Sequence, residues 1–175
     1  MKNRLITLLV LAIAAVTYSV AADYAAISGE PLSSLNKQTD LVGIVYNTTE
    51  ASFNGNTYIS FRQHLGEKQI AKFDADMMKL HQYVIKQFNK ANKRGFQLTD
   101  QNAHYTAEIK IKKLTFSDSK DRAKITAVID IRESGSPQVV TQIKLTNFEG
   151  GKRKGTFQQL KQLSKDIIEY LSIYL

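Results

Sequence analysis

The chain has 175 residues, with 24 Lys and Arg against 16 Asp and Glu and a formal net charge of +8. That length makes one domain rather than two, and 43% apolar residues with only 2 prolines exclude a disordered chain. Zero cysteines exclude disulfides, a thiol nucleophile and a cysteine-borne lipid anchor, so the core must hold by burial alone.

Residues 1–22 read as a cleavable secretory leader. Lys2 and Arg4 make a basic start, Leu5–Val16 an apolar core too short to span a bilayer, and Val20-Ala21-Ala22 a small-residue cleavage site. Its removal would leave residues 23–175 as a single domain with a net charge near +6. Export makes nucleic acid a poor partner for that charge; anionic glycans or lipid headgroups suit it better, and plain solubility would also account for it. The expected location is periplasmic or secreted.

Tyr24–Ile27 can form a short edge strand, closed by Gly29 and Pro31. Leu41–Tyr46 is an unbroken apolar run, the pattern of a strand buried on both faces or central in a sheet. A turn at Asn54-Gly55-Asn56 follows, among Phe53, Tyr58, Ile59 and Phe61, which are expected to pack locally. From Glu67 to Arg94, Ile70, Phe73, Met77, Leu80, Val84, Phe88 and Ala91 recur at spacings of three and four. That stripe predicts a long amphipathic helix, with Gly95 as its left-handed cap. Phe96–Leu98 begins a short strand.

Tyr105–Phe116, Ala123–Arg132 and Val139–Phe148 then alternate with the period of two expected of a meander wet on one face. Ile125, Ala127, Ile129 and Ile131 form the dry set of the middle strand, and Thr141, Ile143 and Leu145 that of the third. The first strand changes phase at Lys112-Lys113, which predicts a bulge. Gly135 can supply positive φ in the turn before Pro137. A last helix is expected from Phe157 to about Tyr174, with Thr156 as its N-cap. Together these elements predict an α/β (α+β) two-layer sandwich, a mainly antiparallel sheet with two helices packed on one face.

The order of leader, strand, long helix ending in Asn89-Lys90-Ala91-Asn92-Lys93-Arg94-Gly95, meander and terminal helix resembles a family of exported Bacteroidetes proteins of unknown function. The Ser28-Gly29-Glu30-Pro31 segment, the Phe88–Gly95 run and the Ala103-His104-Tyr105 strand opening carry that resemblance. In layout alone the chain is similar to TolB amino-terminal-like envelope lipoprotein domains. Neither resemblance implies a catalytic residue. The chain departs from the lipoproteins in lacking the anchor cysteine, and its Gly150–Thr156 loop is more basic than the shared outline.

Three features could carry chemistry. Lys152, Arg153, Lys154, Gly155 and Thr156 combine glycine, cations and a hydroxyl at a helix start, the ingredients of an anion site; the plain alternative is a basic surface loop. It lacks the Gly-Lys-Ser/Thr triplet of a nucleotide-binding loop. Lys110, Lys112, Lys124, Arg132 and Lys144 share the wet sheet face with Glu108 and Asp130, as a basic platform or as cross-strand ion pairs. His64, His81 and His104 lie far apart; Asp74 and His81 share a helical face without making a metal motif. No cofactor, metal site or catalytic set emerges. The expected function is a non-catalytic protein-interaction module of the envelope; the alternative is a binder of an anionic glycan or lipid headgroup through the basic loop and sheet face.

Overall fold

A computed structural model describes residues 25–30, 32–35 and 40–172. The leader expected at 1–22, Pro31 and the helix end at Tyr174 lie outside the described residues. Among the described residues no helix is long and apolar enough to cross a membrane.

Three long strands make the frame: β6 (Tyr105–Thr115), β8 (Lys124–Glu133) and β9 (Val139–Glu149). They pair antiparallel, with Ile109 opposite Ile129 and Ile129 opposite Ile143. Ile125, Ala127, Ile129 and Ile131 are buried on one face, as the alternation requires. The register slips between Ile111 and Lys113, so Leu114 rejoins the buried side. A second slip, beside Ile125 and Ala127 of β8, comes with Asn147 at φ 48 on β9 and turns Phe148 into the core.

β1 (Ala25–Gly29) adds antiparallel to β9 at one edge. On the other side β2 (Leu41–Asn47) runs parallel to β6 and to the short β5 (Gln97–Thr99), giving the order β1-β9-β8-β6-β2-β5. A small hairpin, β3 (Ser52–Phe53) and β4 (Asn56–Thr57), extends the sheet beside the end of β6. Parallel neighbours need a crossover. It is supplied by α1 (Tyr58–Gln63) and α2 (Glu67–Ala91), which connect β2 with β5. After β9, residues Arg153–Lys154 (β10) pair with Lys120–Asp121 (β7), and α3 (Thr156–Leu171) ends the described fold. The fold is thus an α/β (α+β) sandwich with a mainly antiparallel sheet.

Several local expectations change. β2 lies within the sheet but is not buried on both faces. Only Val42 is buried, while Val45 is 51% exposed and Tyr46 is exposed too. The cause is partial flanking, since β5 pairs with β2 only over Leu41–Gly43. α2 stops at Ala91, and Gly95 is not a left-handed cap: the described glycines with positive φ are Gly29, Gly55, Gly135 and Gly155. Asn92 closes the helix instead, donating its N–H to the Phe88 carbonyl and its amide to the Phe96 carbonyl. Thr156 is the first residue of α3 rather than its cap. Gly155 takes the cap position at φ 81, where a side chain would be strained. The aromatics after β2 do pack locally, with Phe53, Phe61, Phe73 and Phe116 in mutual contact, while Ile59 is exposed.

Candidate functional site

The basic loop is built around packing. A Cβ on Gly150 would meet the Leu163 Cα at 2.8 Å, so this glycine permits the chain to press against α3. The Gly151 N–H donates to the Asp166 carboxylate at 2.7 Å. Behind the loop the buried Gln159 side chain accepts from the Ser117 N–H at 3.0 Å and donates to the carbonyls of Ser119 and Arg153 at 2.7 and 3.1 Å. Thr156 donates its hydroxyl to Asp118 at 2.9 Å, which sets a carboxylate beside the start of α3. Lys152, Arg153 and Lys154 are exposed.

On the sheet, four of the five expected cations meet acids. Lys110 lies 2.7 Å from Asp130 and 3.5 Å from Glu108; Arg132 lies 2.8 Å from Glu108 and 3.1 Å from Asp130. Asn47 donates to Glu108, and Gln142 to Asp130. Asp130 is only 3% exposed. Burial by itself would raise its pKa, but the hydrogen bonds from Lys110 and Gln142, with both nearby cations, hold it below the ordinary value. Lys112 pairs with Glu50 and Lys124 with Glu149, two acids that the reading of the strand faces did not include. Lys144 is exposed.

The histidines stay apart. His64 bonds the Ser60 carbonyl, and His104 is exposed. Asp74 does not meet His81, because the Arg62 guanidinium takes it in a two-pronged ion pair at 2.5 and 2.9 Å. Among the described residues no three His, Cys, Asp or Glu side chains gather as a metal site.

The feature that sequence reading missed lies between the two long helices and the sheet. A cavity of about 340 Å³ opens there, walled by Ile44, Ile109, Met77, Leu80, Val84 and Ile167, among others, and almost wholly by carbon. Its depth reaches fully buried Val42. Where the lining comes to the surface, the Tyr46 hydroxyl stands 3.3 Å from His81 Nδ1 and the two rings meet edge-on at 5.7 Å. His81 Nε2 in turn lies 2.6 Å from Asp100, which also accepts from Gln82 at 2.9 Å.

The order tyrosine, histidine, carboxylate invites comparison with a nucleophile and its base. The chemistry argues otherwise. Although Tyr46 as a whole is 46% exposed, its ring lies edge-on to His81, and desolvation there, with the Asp100 charge adding to it, pushes the phenol up, the reverse of what activation requires. It is a neutral hydrogen-bonding group at the edge of an apolar space. Asp100 is held below its ordinary pKa by the His81 and Gln82 hydrogen bonds. The signal for this cluster was the polar Tyr46 and Thr48 ending the apolar run of β2. Their meeting with His81 is set by the crossover.

No family model matches the chain, and no curated protein matches it in sequence. Among solved structures it is similar to PelC dodecamers from Paraburkholderia phytofirmans, in two crystal forms, at TM-scores of 0.45 and 0.43 and 11% and 10% identity. The matches cover 85% of this chain and 93% and 94% of those chains. It is also similar to XCC0632 from Xanthomonas campestris, a DUF330 protein, at a TM-score of 0.40 and 13% identity over 85% of this chain and 91% of that one. Neither is the Bacteroidetes family or the TolB-like domain that the sequence resembles. Likeness at this level carries no argument about function.

Proposed function

We propose that the protein is a non-catalytic binding module whose ligand is an apolar chain held between the two long helices and the sheet. The cavity is the single observation that carries this reading. A space of about 340 Å³ that is walled almost wholly by carbon and open to the surface at one edge offers water few polar partners. Such a space in a native fold is best accounted for by an occupant. Its walls select the occupant's chemistry, since a polar or charged group among Ile, Leu and Val side chains would be desolvated without a partner. With the leader read at 1–22, binding would take place outside the cytoplasm.

The reading as a protein-docking module finds support in β2, whose Ile44–Asn47 half has β6 on one side and no β5 partner on the other. The anionic-ligand reading has less. Gly150 and Gly151 are explained by packing on α3 and Gly155 by its positive φ at the helix start, and the sheet cations are largely taken up by carboxylates.

The chain contains no tryptophan, so an introduced one reports without background. Val84→Trp should fill the cavity, while Val45→Trp, on the exposed side of β2, should not. The unsubstituted chain should take up N-phenylnaphthylamine in a saturable one-to-one manner with a rise in its emission. Val84→Trp should lose that uptake and Val45→Trp retain it. Equal uptake by both variants would place the probe elsewhere and sink the proposal.

A further inference from the structure

We infer that the ligand is a single-chain amphiphile with an uncharged, hydroxyl-bearing head, and that this head sits against Tyr46, Thr48 and His81. The inference rests on the cavity reading above and adds the chemistry of the ligand's polar end.

Polar side chains are few in the lining, and two are already occupied. Ser164 donates to the Leu160 carbonyl within α3 at 2.9 Å, and the Tyr58 hydroxyl takes the Arg62 guanidinium at 3.2 Å. Three polar side chains remain: Tyr46, Thr48 and His81. Tyr46 lies near the end of β2 and Thr48 one residue beyond it, and both line the cavity. His81 faces them from α2, its Nδ1 against the Tyr46 hydroxyl. Among the described residues the Thr48 hydroxyl has no hydrogen-bond partner, and the Tyr46 hydroxyl, which shares one hydrogen bond with His81 Nδ1, has capacity for a further one. The edge of the cavity therefore offers both donors and acceptors, as a hydroxyl-bearing head requires.

Charge decides the head's class. The lining includes no lysine, no arginine and no carboxylate. An anionic head would meet no cation there, and would approach the Asp100 carboxylate 2.6 Å behind His81. A cationic head would look to Asp100, but that carboxylate lies outside the lining, on the far side of the His81 ring. An ion at this edge finds no counter-charge among the lining residues, whereas a hydroxyl is matched by the donors and acceptors of Tyr46, Thr48 and His81. The cationic surplus of the whole chain thus does not extend to the edge of its apolar cavity.

The test is displacement of N-phenylnaphthylamine from the full chain by four ligands of equal chain length: a primary alcohol, a monoglyceride, an ionised fatty acid and an alkyltrimethylammonium. The alcohol and the monoglyceride should compete at concentrations about tenfold below the two ions. Tyr46→Phe and Thr48→Val should each weaken the alcohol by about three- to tenfold relative to that variant's own probe affinity, as loss of one hydrogen bond implies. Displacement indifferent to the head, stronger displacement by the fatty acid, or an alcohol affinity unmoved by both variants would overturn the head assignment and leave the cavity reading standing. A chain that takes up no probe would overturn both.

Discussion

The two long helices of this fold carry similar apolar stripes and do different things with them. α3 has 16 residues and buries Gln159, Leu160, Leu163, Ile168 and Leu171. α2 has 25 residues and buries only Phe88, although its sequence repeat is the longer and more regular. The rest of its stripe, from Phe73 through Met77, Leu80 and Val84, is half-buried where it walls the cavity, which the buried Leu160, Leu163, Ile168 and Leu171 of α3 also line. A stripe therefore tells which side of a helix turns inward, and not how closely the opposing layer approaches it. Close approach at α3 has a visible cause in Gly150, which removes the one Cβ that would keep the chain off Leu163.

The largest test of that contrast pairs two substitutions. Ile129→Asp places a charge on the buried face of the central strands, at 9% exposure, and should abolish the cooperative thermal transition. Val84→Asp, on the looser helix, should leave a folded chain with a lowered melting temperature and no probe uptake. Sequence alone would assign both positions the same outcome, and if both variants unfolded alike the two helices would not differ as described.

Gly150→Ala sharpens the comparison from the other side. Overpacking against the Leu163 backbone should cost about 2–3 kcal/mol in thermal melts. Gly151→Ala should cost less, because its nearest neighbour is the Gln162 Cγ at 3.2 Å, part of a side chain that can move. A reversed order would show that the loop does not fix α3.

Smaller effects belong to the polar face of the sheet. Asp130→Asn should cost about 2 kcal/mol at neutral pH, since it weakens hydrogen bonds from two charged partners. The folded Asp130 has a depressed pKa, so its contribution is present above the unfolded value near 4 and is lost as pH falls through the folded one. Acid titration of stability should accordingly be shallower in the variant; an unchanged slope would mean that other carboxylates govern acid unfolding. Smallest of all, replacing Lys152, Arg153 and Lys154 by Gln should change stability by less than about 0.5 kcal/mol, because all three are exposed. A larger loss would reveal that β10 depends on them.

Alternation and periodicity in the sequence were enough to determine the meander, the face it buries, the bulge after Ile111 and the inward side of both helices. Those features follow from the geometry of single elements, in which neighbouring residues fix one another. Pairing partners were beyond its reach. Glu50 finds Lys112 and Glu149 finds Lys124 through loops and register, and these partners decide between the basic platform and the ion pairs that the face allowed. The basic loop was legible as a motif of glycines and charge, but the reason for Gly150 lies in α3, and Asp118 reaches Thr156 from another turn. The cavity was least legible of all. A gap is a distance between layers, and the bulk of the side chains that hold α2 off the sheet enters only once the crossover has set the helix over β2 and β6.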